Sequence, residues 1–288
     1  MMNDAELILN ADGSIYHLNL KPHEIAKTVI FVGDPDRVTE VSKYFDTIEY
    51  RKSKREFITH TGTLNGKQLT VISTGIGTDN IDIVLTELDA LVNFDFTSRT
   101  LKEELSSLDI IRIGTSGSIQ GNIAMGTILA SEYAIGFDTL MQYYKKPELP
   151  TELLLQQEVI QFFDELTFKP YVAHASTKLL ELLAYDLPKG ITMTAPGFYG
   201  PQGRNLRSTN MYPNLIRKAN QFRFQNRQIT NLEMETAGIY ALSNMLGHHA
   251  ISINAILASR VQESFCHNPE EIVDNAIQLV LNRLTAKS

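Results

Sequence analysis

Short apolar runs alternate with segments of helical spacing along most of the chain. Apolar runs at residues 29–32, 110–113, 128–130, 171–175, 191–195 and 251–258 predict strands. Helical spacing at 38–44, 81–94, 153–163, 177–185, 236–246 and 270–284 predicts the helices that separate them. Residues 59–64 and 68–73 flank Asn65-Gly66, a two-residue hairpin signal. Strands that are apolar at successive positions are buried on both faces, which calls for a sheet between two helical layers. The expected fold is α/β: a single domain over residues 1–288 with a central mixed, mostly parallel twisted sheet flanked by helices on both faces. No repeat, low-complexity tract or linker interrupts the pattern. The polar stretch 93–108 is the expected surface insertion.

Composition narrows the partners. With 43% hydrophobic residues in 288, the chain has enough apolar material for a full core. A net charge of −7 without a basic block argues against nucleic acid as a partner, so any anion site must be local. The single Cys266 leaves no disulfide within the chain and suits a reducing compartment. The first ten residues lack a basic n-region and a long apolar core, and no run approaches the ~18 apolar residues that cross a bilayer. A cytoplasmic protein with no membrane partner is expected.

The glycine-rich or polar breaks fall just after strands, at 33–37, 75–77, 114–118, 196–204, 233–235 and Ser259-Arg260. In α/β sheets the carboxyl ends of strands form the ligand crevice. Strand alternation in Glu233-Met234-Glu235 puts two carboxylates on one face and the thioether on the other, a set suited to a sugar. The plainer reading is a pair of first-turn charges for the following helix. Gly33-Asp34-Pro35-Asp36-Arg37 and Arg112-Ile113-Gly114-Thr115-Ser116-Gly117 each join an arginine to a tight turn or small-residue loop. Holding a phosphate out of water costs several kcal/mol, against roughly 1.5–3 kcal/mol from one charged hydrogen bond. Several donors are therefore needed, and Arg37, Arg112, the Thr115 hydroxyl and a further arginine such as Arg55 would suffice. Taken singly, each arginine also fits a turn or structural role. Neither motif contains Gly-Lys-Ser or Gly-Lys-Thr, so a nucleoside triphosphate is not expected.

In Phe198-Tyr199-Gly200-Pro201-Gln202-Gly203-Arg204, the Gln202 amide matches an imide N–H beside a carbonyl. Arg204 adds donors and Phe198 a stacking face, although alone the segment is an ordinary Gly/Pro loop. The seven histidines show no metal spacing, and His248-His249 is expected to cap a surface turn. Cys266 reads as a neutral thiol and Asn80-Ile81-Asp82 as a solvated helix face.

Taken in order, six segments resemble the nucleoside phosphorylase-I family. They are Gly33-Asp34-Pro35-Asp36-Arg37-Val38, Arg55-Glu56-Phe57, Ser73-Thr74-Gly75-Ile76-Gly77, Arg112-Ile113-Gly114-Thr115-Ser116-Gly117, Phe198 with Gln202 and Arg204, and Glu233-Met234-Glu235. The resemblance runs from His17 to Arg260. It implies phosphorolysis of a nucleoside to free base and ribose 1-phosphate, with inorganic phosphate as co-substrate and neither metal nor organic cofactor. Gly33, Arg37, Arg112 and Thr115 would bind the phosphate. Arg55 would reach the phosphate, and His17 the ribose 5′-hydroxyl, of a neighbouring subunit. Met234 and Glu235 would hold the ribose, while Gln202 and Arg204 read the base and Phe198 packs beside it. A homo-oligomer with shared active sites follows, as a hexamer or a dimer. The catalytic set is Arg112, Glu235, Arg204 and Gln202.

Ser259-Arg260 stands where purine-cleaving hexameric members have Ser-Asp. An arginine cannot protonate a purine at neutral pH, but it can stabilise a pyrimidine carbonyl, so uracil is the expected base. Thr78-Asp79-Asn80 departs from the family's small Gly-Pro-Ser-like run, where some relatives hold a monovalent cation. The alternatives are a phosphate-independent nucleosidase, a purine phosphorylase, and a nucleoside-binding module without turnover.

Overall fold

The computed structural model describes residues 2–147 and 149–286. Strand β1 (Thr28–Val32) is buried along its whole length. Val29 and Phe31 join one apolar core and Ile30 and Val32 another, because successive side chains leave a strand on opposite faces. The first core is filled from helices α2 (Thr78–Asn93) and α6 (Thr236–Leu246). The second is filled from α1 (Pro35–Ser42), α4 (Thr177–Leu183) and α7 (Pro269–Thr285). A third core, rich in phenylalanine, lies under α3 (Pro150–Phe162) and α5 (Leu215–Gln221).

The other strands are β2 (Thr47–Lys54), β3 (Phe57–Leu64), β4 (Lys67–Ser73), β5 (Phe94–Asp95), β6 (Thr100–Leu101), β7 (Asp109–Ser118) and β8 (Ile128–Gly136). They are followed by β9 (Tyr171–His174), β10 (Lys189–Thr194), β11 (Arg223–Phe224), β12 (Arg227–Glu233), β13 (His249–Ser259) and β14 (Ser264–Phe265). The sheet order is β11-β12-β10-β8-β13-β7-β1-β4-β3-β2, a mixed sheet between helical layers as expected. β12 also pairs antiparallel with β7, through Asn231 opposite Ser118 and Leu232 opposite Gly117. Strands β7, β13, β8, β10 and β12 therefore close on themselves.

Several differences from the sequence expectation have clear causes. β7 does not stop at Ile113 but continues through Gly114 to Ser118, because β13 pairs with it along that whole stretch. At Gly114 a Cβ would sit 1.9 Å from the Arg112 guanidinium, so the glycine lets that side chain lie across the strand. β2 escapes an apolar-run search because it is an edge strand of sequence TIEYRKSK, and charge protects such edges. α5, β11 and β14 are short and carry little periodicity. His248 is buried rather than at a surface turn, and its Nδ1 accepts from the Leu108 N–H at 3.2 Å. The stretch 93–108 does form an exposed hairpin (β5–β6), and Arg99 ties it to the N-terminal segment through the carbonyls of Met2 and Asn3. Among the described residues, no helix is long and apolar enough to cross a membrane.

The Asn65-Gly66 turn closes β3 onto β4 with φ of 52° and 78°, the geometry of a two-residue hairpin. Farther along β3, a Cβ at Gly62 would lie 1.9 Å from the Thr47 carbonyl oxygen. That obstacle is backbone and cannot rotate away. Gly62→Ala is expected to destabilise the protein by about 1–3 kcal/mol, read as a lower Tm in thermal unfolding. An unchanged Tm would show that β2 adjusts freely.

Candidate active site

Each of the six breaks contributes residues to one cleft of about 1280 Å³ at the carboxyl ends of β1, β4, β7, β10, β12 and β13. Arg112 projects from β7 and is only 7% exposed. Its Nη2 donates to Glu235 Oε2 at 2.6 Å and lies 3.1 Å from Glu233 Oε2. Nη1 donates to Ser252 Oγ at 3.3 Å and Asn254 Oδ1 at 3.2 Å. Burial works against the charge of Arg112, but the fields of Glu233 and then Glu235 outweigh it and hold the guanidinium protonated.

The two carboxylates divide their work. Glu233 ends β12, and its Oε2 accepts from the backbone N–H groups of Glu235 and Thr236 at 2.9 Å each, capping α6. Its Oε1 accepts from Thr194 Oγ1 at 2.6 Å. Glu235 occupies the cap position of α6, with φ −133° and ψ −32°. Its Oε1 accepts from the Gly77 N–H at 2.9 Å, opposite the Arg112 contact on Oε2. Burial pushes the Glu235 carboxyl up; Arg112 pulls it down, the field of Glu233 adds to the rise, and the net direction is upward.

Strand alternation therefore does not explain the motif. The strand ends at Glu233, and the turn brings Glu235 to the same guanidinium. Met234 is not on an opposite face; it lines the cleft together with both glutamates.

Arg37 enters the cleft from the first turn of α1, beside Gly33. Burial lowers its guanidinium, Asp34 opposes, and the positive field of Arg112 adds to the lowering. Two guanidiniums that repel each other across a cleft make a place where an anion is favoured. Thr115, half-buried on β7, lines the same cleft.

After β10, Gln202 is 3% exposed and its Oε1 accepts from Arg204 Nη1 at 2.5 Å. Arg204 Nη1 also donates to the Phe198 carbonyl at 2.6 Å. The Arg204 guanidinium carbon sits 3.7 Å from the Phe198 ring centroid, so a cation already stacks on this ring, which is 51% exposed. Gly203 holds φ +68°, and a Cβ there would meet Ile216 at 2.7 Å. Arg260, at the end of β13, donates from Nη2 to the Gly203 carbonyl at 3.4 Å, and its buried Nη1 has no partner among the described residues. Burial lowers both arginines, and for Arg204 the field of Arg260 adds to this.

Two expected residues lie outside this chain's own cleft. Arg55 is exposed in the β2–β3 turn with φ 55°, its guanidinium 5.9 Å from the Tyr16 ring centroid. His17 holds Glu87 through Nδ1 at 2.6 Å. Their neighbour Glu56 does line the cleft. Asn80, expected on a solvated face, lines it too, in the first turn of α2. Its Nδ2 would be 2.3 Å from a Cβ at Gly75, where φ is +70°. Ile81 beside it is fully buried. The glycine pair ahead of α2 was the available signal, since such a break brings the helix start to the strand ends. Tyr199, within the expected 196–204 break, lines the cleft, and so does Phe265, which carried no sequence signal. Among the described residues, no three His, Cys, Asp or Glu side chains gather to hold a metal ion.

The sequence pattern of the phosphorylase superfamily matches residues 27–286. The chain belongs to this superfamily. Among curated phosphorylases, a uridine phosphorylase of Thermococcus kodakarensis is 30% identical over 264 residues, covering 91% of this chain and 83% of that one. A uridine phosphorylase of Haemophilus influenzae is 27% identical over 277 residues, covering 94% and 98%. The solved nucleoside phosphorylase of Trypanosoma brucei, described as showing uridine phosphorylase activity, has a TM-score of 0.87 at 30% identity, covering 98% of this chain and all of that one.

Proposed function

We propose that this phosphorylase cleaves uridine with inorganic phosphate, releasing uracil and ribose 1-phosphate. The reading rests on one cleft that brings together a guanidinium pair, two carboxylates at a helix start, and the Gln202/Arg204/Arg260 cluster. The relatives named uridine phosphorylase support the choice of base.

In this reading Arg37, the Gly33 turn and Thr115 hold phosphate beside Arg112. Glu235 accepts from the ribose hydroxyls, and Met234 packs against the ring. As the glycosidic bond loosens, positive charge grows on the sugar and negative charge on the base. The Glu235 carboxylate stabilises the first, and Gln202, Arg204 and Arg260 the second. Phosphate held near the anomeric carbon then forms the new bond as the carbon–nitrogen bond breaks, with positioning supplying much of the rate. Phe198, already under Arg204, borders the base. No organic cofactor enters this scheme. Arg55 and His17 act in trans, in a homo-oligomer with shared sites; their place outside the chain's own cleft supports this. The whole chain functions as one domain, in the cytoplasm.

Base choice is tested by supplying uridine, thymidine and inosine with phosphate and following the released base. Uracil release with intact inosine is expected. Inosine cleavage at a comparable rate would overturn the role given to Arg260.

A further inference from the structure

The Nη1 side of Arg112 meets two fully buried acceptors on β13, Ser252 Oγ and Asn254 Oδ1. Asn254 is itself held. Its Nδ2 donates to Ser131 Oγ on β8 at 2.9 Å, and Ser131 Oγ lies 2.5 Å from Thr192 Oγ1 on β10. Thr192 Oγ1 donates to Asn231 Oδ1 on β12 at 2.9 Å. Asn231 Nδ2 donates to Ser116 Oγ on β7 at 2.7 Å, and Ser116 donates to the Leu232 carbonyl at 2.8 Å.

This belt touches all five strands of the closed ring, and its hydrogens run in one direction. The Thr192 hydrogen lies on Asn231, so Ser131 donates to Thr192. Ser131 therefore accepts from Asn254, which turns the Asn254 oxygen toward Arg112. Apolar side chains would close the ring with no risk of unpaired polar groups, so packing alone does not account for the belt. What it delivers is an acceptor aimed at one guanidinium nitrogen of the cleft.

We infer that Asn254 is a positioning residue for Arg112, holding Nη1 so that Nη2 stays on Glu235. The inference rests on the proposed phosphorolysis and adds a residue that does not line the cleft. The test uses the full chain with uridine and phosphate, comparing wild type, Asn254→Ala and Asn254→Asp by kcat/KM and Tm. Asn254→Ala is expected to lose about tenfold or more in kcat/KM, the scale of one charge-assisted hydrogen bond. Asn254→Asp keeps an acceptor for Nη1; Ser131 can turn its hydroxyl toward it while Thr192 turns to Ser131, because Asn231 Oδ1 still accepts from Thr230 Oγ1 at 2.8 Å. Its kcat/KM is expected to return to within about threefold of wild type, a rescue by the retained acceptor.

A purely structural role predicts the reverse order, since a carboxylate among buried hydroxyls would be worse than alanine in both activity and Tm. That order, or an alanine variant as active as wild type, overturns the inference. Should Asn254→Ala fail to fold, Asn254→Leu fills the same space without offering Nη1 an acceptor, and unchanged activity there overturns it equally. Wild type without phosphate-dependent uracil release would instead strike the proposed function itself.

Discussion

Replacing Arg112 with alanine is expected to lower kcat/KM for uridine phosphorolysis by about a thousandfold, the upper range for removing one preorganised donor of an electrostatic site. Arg112 is the only cation within 4 Å of Glu233 and Glu235 among the described residues, and it contributes its own charge to the cleft. Its removal leaves two buried carboxylates facing each other. Taking one partner from a buried ion pair typically costs about 3–5 kcal/mol, so a lower Tm should accompany the lost activity. The two effects separate by temperature: the activity loss persists far below the variant's Tm, where circular dichroism reports a folded chain. Arg112→Lys keeps a charge but cannot reach Nη1 and Nη2 partners together, and should recover stability more than rate. An alanine variant within tenfold of wild type would remove Arg112 from the centre of the account.

The second large effect is expected at Glu235. Glu235→Gln preserves shape but offers one carbonyl oxygen to two donors, the Gly77 N–H and Arg112 Nη2. One of those donors must then face an amide N–H₂. With the charge opposite the sugar also gone, kcat/KM should fall by about a hundredfold or more. Because burial raises the Glu235 carboxyl, the acid limb of the wild-type kcat/KM profile should lie above the ordinary carboxylate range. The Gln variant, with no group to protonate there, should lose that limb.

Stability follows the same sign. A raised carboxyl binds its proton more tightly in the folded chain, so this contribution is present at low pH and lost as pH rises through the folded-state value. The Tm advantage of wild type over Glu235→Gln should therefore narrow with rising pH. A limb that survives in the variant would assign it to another group.

Much of the architecture is legible from local pattern. β1 is apolar throughout because both its faces are covered, and Asn65-Gly66 specifies its turn through backbone φ alone. The closure of β12 onto β7 is not legible, since it rests on two residue pairs far apart in sequence. Within the cleft, the motifs point to the correct strand ends because ligand-facing turns need small residues. They do not reveal that Glu233 serves mainly as a helix cap while Glu235 faces Arg112, a division set by where the strand stops. Nor do they flag Asn254, which sits in a mostly apolar strand and gains meaning only from the four strands around it. Arg55 and His17 lie outside this chain's cleft, so the roles proposed for them draw on the family resemblance and not on the geometry of the site.

Uracil release from uridine, measured with and without inorganic phosphate and with ribose 1-phosphate quantified alongside, tests the central claim most directly. The account predicts release only when phosphate is present, with one ribose 1-phosphate for each uracil. Equal release without phosphate, yielding free ribose, would contradict it.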